Sequence, residues 1–279
     1  MGTGPPRLVV VGTPIGNLGD LSPRAVEAFT AADVVACEDT RRTGRLLAHA
    51  GVPGRELVRL DDHTEESVAP GLVERIGSGA VVAVATDAGM PGLSDPGSVL
   101  VAAAVDAGLA VEVIPGPFAG AVGLVASGLL GPSGRFCFEG FLPRKGPSRR
   151  ERINELVDER RTVVLYEAPH RLARTISDLG EALGPDRRVA LCRELTKLHD
   201  ETWRGTLAEA AERCDRVEPR GEYVVVLDGA PEPPEVTDEV LREALEAAVS
   251  GGATRRDAGL DVADRYGVAP NRVKRLLNG

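Results

Sequence analysis

Cysteine is scarce in this chain of 279 residues, and the four present, Cys37, Cys137, Cys192 and Cys214, form no CxxC pair. That spacing indicates neither a zinc site nor a disulfide framework, so reduced thiols are expected, three beside apolar strand-like runs and Cys214 at the end of a helical segment. Lysine is scarcer still: Lys145, Lys197 and Lys274 are the only ones, and arginine carries the rest of the positive charge. No apolar run reaches the roughly 18 residues that would span a bilayer. The first residues show no basic patch followed by an apolar core, and Pro6 stands where a myristoylation signal wants Ser or Thr. These absences read as a cytoplasmic protein. HExxH, GxSxG and GxxxxGK[ST] are also missing, which removes the usual carriers of metal hydrolysis, serine acyl transfer and P-loop chemistry, and no metal is expected.

What is present suffices for two domains with real cores, since 43% of residues are hydrophobic and 27% charged. The net charge of −9 argues against indiscriminate coating of nucleic acid while permitting a local basic surface. Strand-like runs recur at 8–11, 34–37, 81–85, 111–114, 136–141, 163–166, 189–191 and 223–227, mostly separated by helical patterns, so the fold class is α/β. The expected organisation is an N-terminal α/β domain over 7–117, a second over 118–230, and a helical tail over 235–279 beyond the APEPPE break at 230–235. In the tail, Thr237, a Thr254/Asp257 capping pair, Gly267 and Pro270 punctuate three helices at helix-turn-helix-like spacing. The last carries Arg272, Lys274 and Arg275. It reads either as a packing appendage or as a nucleic-acid foot.

Three loops stand out, each directly after a strand-like run: GTPIGNLGD (12–20), TDAGMPGLSDPG (86–97) and PGP (115–117). Glycine lets a backbone approach a ligand closely and proline fixes loop shape, so loops of this kind after strands of an open α/β sheet are either tight turns or the walls of a ligand cleft. The spacing of Gly12, Gly16 and Gly19 is not the dinucleotide GxGxxG, although Glu38 and Asp39 end the next strand where a ribose-binding acid would lie. Two arginine-rich segments, EDTRRTGRLL (38–47) and LPRKGPSRRER (142–152), are either internally paired loops or phosphate sites, built on Arg41, Arg42 and Arg45 in the first and on Arg144, Lys145, Arg149, Arg150 and Arg152 in the second. His63 in LDDHTEE and His170 in YEAPHR sit beside strand ends, where catalytic groups concentrate.

Taken in order, VGTPIGNLGDLSPRA, CEDTRRTGRLL, TDAGMPGLSDPG, PGPFA, FEGFLPRK, YEAPHRL and RELTKLHDE resemble the ribosomal RNA small subunit methyltransferase I family of the tetrapyrrole methylase superfamily. Two departures stand in the second and third loops, where the usual Ser-Asp-Ala-Gly-Thr-Pro reads Thr86 to Pro91 with Met90, and where Phe118 replaces a small residue or cysteine. The resemblance implies two α/β domains with S-adenosyl-L-methionine folded in the cleft between them, in a homodimer. It implies 2′-O-methylation of cytidine 1402 of 16S rRNA in the small ribosomal subunit. Carried over by motif, the cofactor would meet Pro14, Asp87, Ala88, Gly89, Met90, Phe118, Ala119, Tyr166 and Ala168. RNA would meet Arg41, Arg42, Arg144, Lys145, Arg171 and Lys197. For the proton acceptor, Asp39, His63, Asp95 and His170 all stay open. Other readings are a methylase acting on a tetrapyrrole carbon or on a modified histidine, as diphthine synthases do, and a non-catalytic nucleotide-binding module of ribosome assembly.

On this reading, Asp87→Ala is expected to cut S-adenosylmethionine binding, whereas Arg41→Ala or Lys145→Ala mainly impairs use of RNA. Calorimetry with the cofactor is the check; normal affinity in the Asp87 variant contradicts the assignment.

Overall fold

The computed structural model describes residues 5–231 and 236–278. The chain falls into two compact units, Met1–Ala230 and Pro231–Gly279. Most of the expected linker, residues 232–235, lies outside the described residues, as does most of the N-terminal segment.

The first unit begins with β1 (Arg7–Val11), α1 (Pro23–Ala31), β2 (Val34–Cys37), α2 (Thr40–His49), β3 (Glu56–Arg59), α3 (Glu65–Gly77), β4 (Val81–Ala85), α4 (Ser98–Asp106) and β5 (Val111–Ile114). These strands make one parallel sheet in the order β3-β2-β4-β1-β5. A parallel sheet is covered on both faces, so its central strands are continuous apolar runs whose side chains alternate between two cores. Val9, Val11, Val35 and Ala83 join Phe29 of α1 on one face, while Leu8, Val10, Ala36 and Val82 join Leu72 and Ile76 of α3 on the other. Helix α1 starts as its sequence dictates, with Ser22 accepting from the Ala25 N–H and Pro23 in the first turn.

Helix α5 (Ala119–Ser127) leads to β6 (Phe136–Phe141), α6 (Pro147–Glu155), β7 (Thr162–Glu167), α7 (Pro169–Leu183), β8 (Arg188–Arg193), β9 (Glu201–Thr206), α8 (Leu207–Arg216) and β10 (Tyr223–Leu227). The second sheet is mixed, in the order β6-β7-β10-β8-β9, with only β6 and β7 parallel. One face packs on α6, α7 and α8 through Leu165, Leu191, Val225, Ile176 and Leu207. Its other face, with Val164, Cys192 and Val224, packs on Leu124 of α5 and on Ile15 from the loop after β1. Gly123 permits that approach, because a Cβ there would stand 2.7 Å from Val224 Cγ1.

Two strands, β3 and β9, are absent from the periodicity of the sequence. Both are edge strands, reading ELVR and ETWRGT, and an edge strand needs no apolar run because solvent covers part of it.

The second unit packs α9 (Asp238–Ser250), α10 (Arg255–Arg265) and α11 (Pro270–Asn278) around Leu241, Leu245, Val262 and Val273. Thr237 and Thr254 cap α9 and α10 as expected. Arg272 is tied to Asp238 at 2.8 Å and to the Val236 carbonyl at 2.7 Å, so it braces the three-helix unit, leaving Lys274 and Arg275 exposed. Among the described residues no helix is long and apolar enough to cross a membrane, and no group of side chains could hold a metal ion. All four cysteines are free, and burial pushes each thiol above its ordinary pKa.

One buried acid ties the helices that flank the second glycine-rich loop. Glu65, at the start of α3, accepts from the N–H groups of Gly97, Val99 and Leu100 at 2.9–3.0 Å and so caps α4 from outside. Glu65→Ala is expected to cost about 2–3 kcal/mol by leaving buried donors unpaired, and Glu65→Gln, which keeps an acceptor, less. Urea denaturation of the two variants checks this, and equal losses would reject the capping role.

Candidate active site

The three glycine-rich loops are stitched together by backbone. Thr13 and Gly89 form an isolated antiparallel bridge, with N–H to carbonyl distances of 2.9 and 3.1 Å in the two directions. The Thr13 hydroxyl donates to the Thr86 carbonyl at 3.1 Å. Gly12 and Gly116 touch so closely that a Cβ on Gly116 would lie 2.7 Å from Gly12 Cα, and one on Gly12 would lie 2.6 Å from Met90 Sδ. The Gly116 N–H donates to that sulfur at 3.3 Å. Strands β1 and β4 are neighbours whose connections run to opposite edges of the sheet, which places these loops where open α/β sheets bind ligands.

A cleft of about 440 Å³ opens there, bounded by the 88–95 segment, Phe118 and Ala119 on one side and by residues of the second sheet, Phe141, 166–170, 192–197 and 222–224, on the other. Its volume lies within the range of small-ligand sites. Phe118, Phe138, Phe141 and Tyr166 meet edge to face, with centroids 4.9–6.4 Å apart. Tyr166 accepts from the Gly120 N–H at 3.1 Å, and burial pushes its phenol up to about 12. Three non-glycine residues have φ in the left-handed region among the described residues: Ser94 at 63°, Glu194 at 49° and Thr196 at 65°. Ser94 and Glu194 line the cleft from opposite walls and Thr196 sits between two lining residues, a clustering of strain typical of binding sites.

Carboxylates dominate the charge inside the cleft. Burial, then the negative charges of Glu38, Asp62, Asp87 and Glu222, push Asp95 up to about 7. Lys197 bridges Glu194 at 2.8 Å and Glu222 at 2.7 Å; burial works against its charge, but the two carboxylates outweigh that and hold its pKa above the ordinary lysine value.

The structure sorts the residues singled out from the sequence. Ala88, Gly89, Met90, Asp95, Phe118, Ala119, Tyr166, Ala168, His170 and Lys197 line the cleft. Pro14 and Asp87 line an adjoining pocket beside Arg42, Arg45 and Thr86, where Arg42 pairs with Asp87 at 3.1 Å. The other carboxyl oxygen of Asp87 is buried without a hydrogen-bond partner. Asp39 caps α2, accepting from the N–H groups of Arg41 and Arg42, which holds its carboxyl below the usual range. His63 is exposed and lines neither pocket. Arg41 is exposed beside Asp39 at 3.4 Å, and Lys145 is exposed. Arg144 and Arg171 belong to a basic cavity on the far side of His170.

Sequence reasoning missed the acids of the second sheet. Glu167, buried, accepts from the Thr175 hydroxyl at 2.6 Å and the Ala168 N–H at 2.9 Å and pairs with Arg171 at 3.1 Å. Glu194 and Glu222 hold Lys197. The strings YEAPHRL and RELTK hold Glu167 with Arg171 at i+4 and Glu194 with Lys197 at i+3, a local spacing that could have revealed both pairs; only Glu222 lies far along the chain from its partner.

The fold and cleft define a class: the chain belongs to the tetrapyrrole (corrin/porphyrin) methylase family, whose model matches residues 7–211. The chain is 43% identical to a ribosomal RNA small subunit methyltransferase I from Synechocystis, covering 92% of each protein. It is 45% identical to the protein of that name from Mycobacterium tuberculosis H37Rv, over 92% of this chain and 89% of the relative. The fold is also that of uroporphyrin-III C-methyltransferase from Thermus thermophilus, solved in complex with S-adenyl homocysteine, at 21% identity and a TM-score of 0.56 over 80% of this chain and 97% of that one.

Because Gly116 has no room for a side chain, Gly116→Ala is expected to force the first and third loops apart and cost about 1–3 kcal/mol. Thermal denaturation is the measurement, and an unchanged melting temperature would show that the two backbones need not touch.

Proposed function

We propose that this protein transfers a methyl group from S-adenosyl-L-methionine to the ribose 2′-hydroxyl of cytidine 1402 in 16S rRNA of the small ribosomal subunit. The relatives named for small-subunit rRNA methylation support the substrate class, and the resemblance of the ordered motifs supports the nucleotide. The observation that carries the chemistry is the cleft at the stitched loops, with the Asp95 carboxyl pushed up to about 7 on its wall. In this reading the enzyme is a cytoplasmic homodimer, as the resemblance implies.

The cleft fits the cofactor. Gly12, Gly89 and Gly116 keep side chains out of the way, aromatic rings and Ala119 offer apolar walls, and the carboxylates suit a cationic ligand. The buried, partnerless oxygen of Asp87 offers an acceptor from the adjoining pocket. Ala88, Gly89, Met90, Phe118, Ala119, Tyr166 and Ala168 would hold the cofactor, with Pro14 and Asp87 at its edge. When bound, S-adenosylmethionine supplies an electrophilic methyl group on a sulfonium.

The chain's own contribution is orientation and proton removal. Of the four proton-acceptor candidates, Asp39 is committed to its helix cap and His63 lies outside the cleft, while Asp95 and His170 line it. Asp95 is the better base: it lines the cleft directly after Ser94, whose φ is left-handed, and burial with nearby acids pushes its carboxyl up to about 7. Its Oδ atoms accept the ribose hydroxyl proton. Arg41, Arg42, Arg144, Lys145 and Arg171 face the RNA backbone. Lys197, held by two carboxylates, steadies the opposite wall of the cleft.

The test is methyl incorporation into small subunits purified from a strain lacking the modification, followed by alkaline hydrolysis. A methylated ribose protects its own linkage, whereas a methyl on a base or on protein protects none. Because a base must be deprotonated to work, activity is expected to rise as pH passes upward through about 7 and then level off. Asp95→Asn is expected to lower kcat by roughly 10²–10⁴-fold with S-adenosylhomocysteine affinity kept. A variant with wild-type kcat, or one that keeps the acidic limb, excludes Asp95.

A further inference from the structure

A further cavity, of about 340 Å³, lies among Arg144, Arg149, His170, Arg171, Arg174 and Thr175. His170 lines both this cavity and the main cleft, so the two adjoin. Four guanidinium groups gather here, and the carboxylates paired with them are Glu167 and Asp178. Asp178 meets Arg149 at 2.8 Å and Arg174 at 3.8 Å, and Glu167 meets Arg171 at 3.1 Å. Arg144 makes no ion pair among the described residues. A local cation surplus therefore stands on a chain whose net charge is −9.

The cavity is also rigidly built. Arg149 is buried and fully used: Nε donates to Asp178, Nη1 to the Pro143 carbonyl at 3.0 Å, and Nη2 to the Thr175 hydroxyl at 2.9 Å. Thr175 passes that chain on to Glu167, while Arg171 reaches the Leu142 carbonyl at 2.6 Å. These bonds lock the 142–146 loop against the first two turns of α7, which presets where Arg144, His170 and Arg174 stand. Preset guanidinium groups with spare donors match the paired oxygens of a phosphate.

We infer that this cavity seats one phosphodiester of the RNA strand, the linkage flanking the ribose held in the main cleft. The inference rests on the proposed function, and it is favoured by covalent geometry: a ribose and its flanking phosphate are neighbours, as are the two cavities that share His170. Arg144 and Arg174 carry the binding, and buried Arg149 is a positioning residue.

The experiment compares the full-length wild type with Arg144→Ala/Arg174→Ala, using unmodified small subunits and a short RNA carrying a neutral methylphosphonate at the flanking linkage. The double variant is expected to raise KM for subunits by roughly tenfold or more, with kcat and S-adenosylhomocysteine affinity held within about twofold. The salt dependence of binding should flatten by about one phosphate contact. For the wild type, the methylphosphonate should reproduce the variant's KM, while the variant should be indifferent to it. Arg174→Lys, which keeps the charge, should recover part of the loss and guards against a folding defect. An unchanged KM and salt slope, or a variant that loses as much again on the methylphosphonate, overturns the inference alone. If the wild type transfers no methyl to subunits, the function itself is wrong and the inference goes with it.

Discussion

The molecule depends on one contact that only glycine allows, the backbone approach of Gly12 to Gly116. Strands β1 and β5 are paired in parallel, and their outgoing loops can cross directly above the sheet only because neither carries a Cβ at the crossing point. The Thr13–Gly89 bridge then draws in the loop after β4, and the Met90 sulfur closes the gap by accepting from the Gly116 N–H. Each of these hydrogen bonds is worth about 1 kcal/mol net, so their importance is geometric. They bring three loops from three strands into one wall and leave a shaped space beside it.

Rigidity reaches that wall from buried acids. Glu65 fixes the start of α4 and with it the far end of the second loop, and Glu167 fixes the start of α7 at the opposite side. Both are buried carboxylates whose oxygens take several donors, the condition under which burying an acid is tolerable. A site whose supporting groups are themselves locked need not reorganise when a ligand arrives. The left-handed conformations at Glu194 and Thr196 are held locally, the Glu194 N–H donating to the Glu222 carbonyl and the Thr196 N–H to Asp200 Oδ2.

The charge distribution divides the site into two environments. Inside the cleft, carboxylates outnumber cations, and burial first, then acids in and around the cleft, raise the proton affinity of Asp95; beyond His170, guanidinium groups outnumber carboxylates. A cationic donor and an anionic strand would each meet the field that suits it, although the chain as a whole is acidic. The sum of charges therefore says little about binding, and their placement says much.

The central strands were legible because strands buried on both faces leave uninterrupted apolar runs, as in VVAVA and YVVVL. Edge strands β3 and β9 were not, since partial exposure removes that signature. Ser22 and Thr237 could be recognised as caps because a cap is satisfied within three residues of itself. Asp39 was harder: the same local logic makes it a cap, yet among four acids and histidines it also reads as a base. By itself the sequence determined the α/β class, the positions of the glycine-rich loops and the family, all of which rest on near-neighbour patterns. Only the tertiary structure decided that Asp95 stands half-buried near other acids, that Asp87 pairs with Arg42, and that Lys197 is spent on two carboxylates. Desolvation and charge pairing depend on which distant segments meet, and that information exists only once the chain has folded.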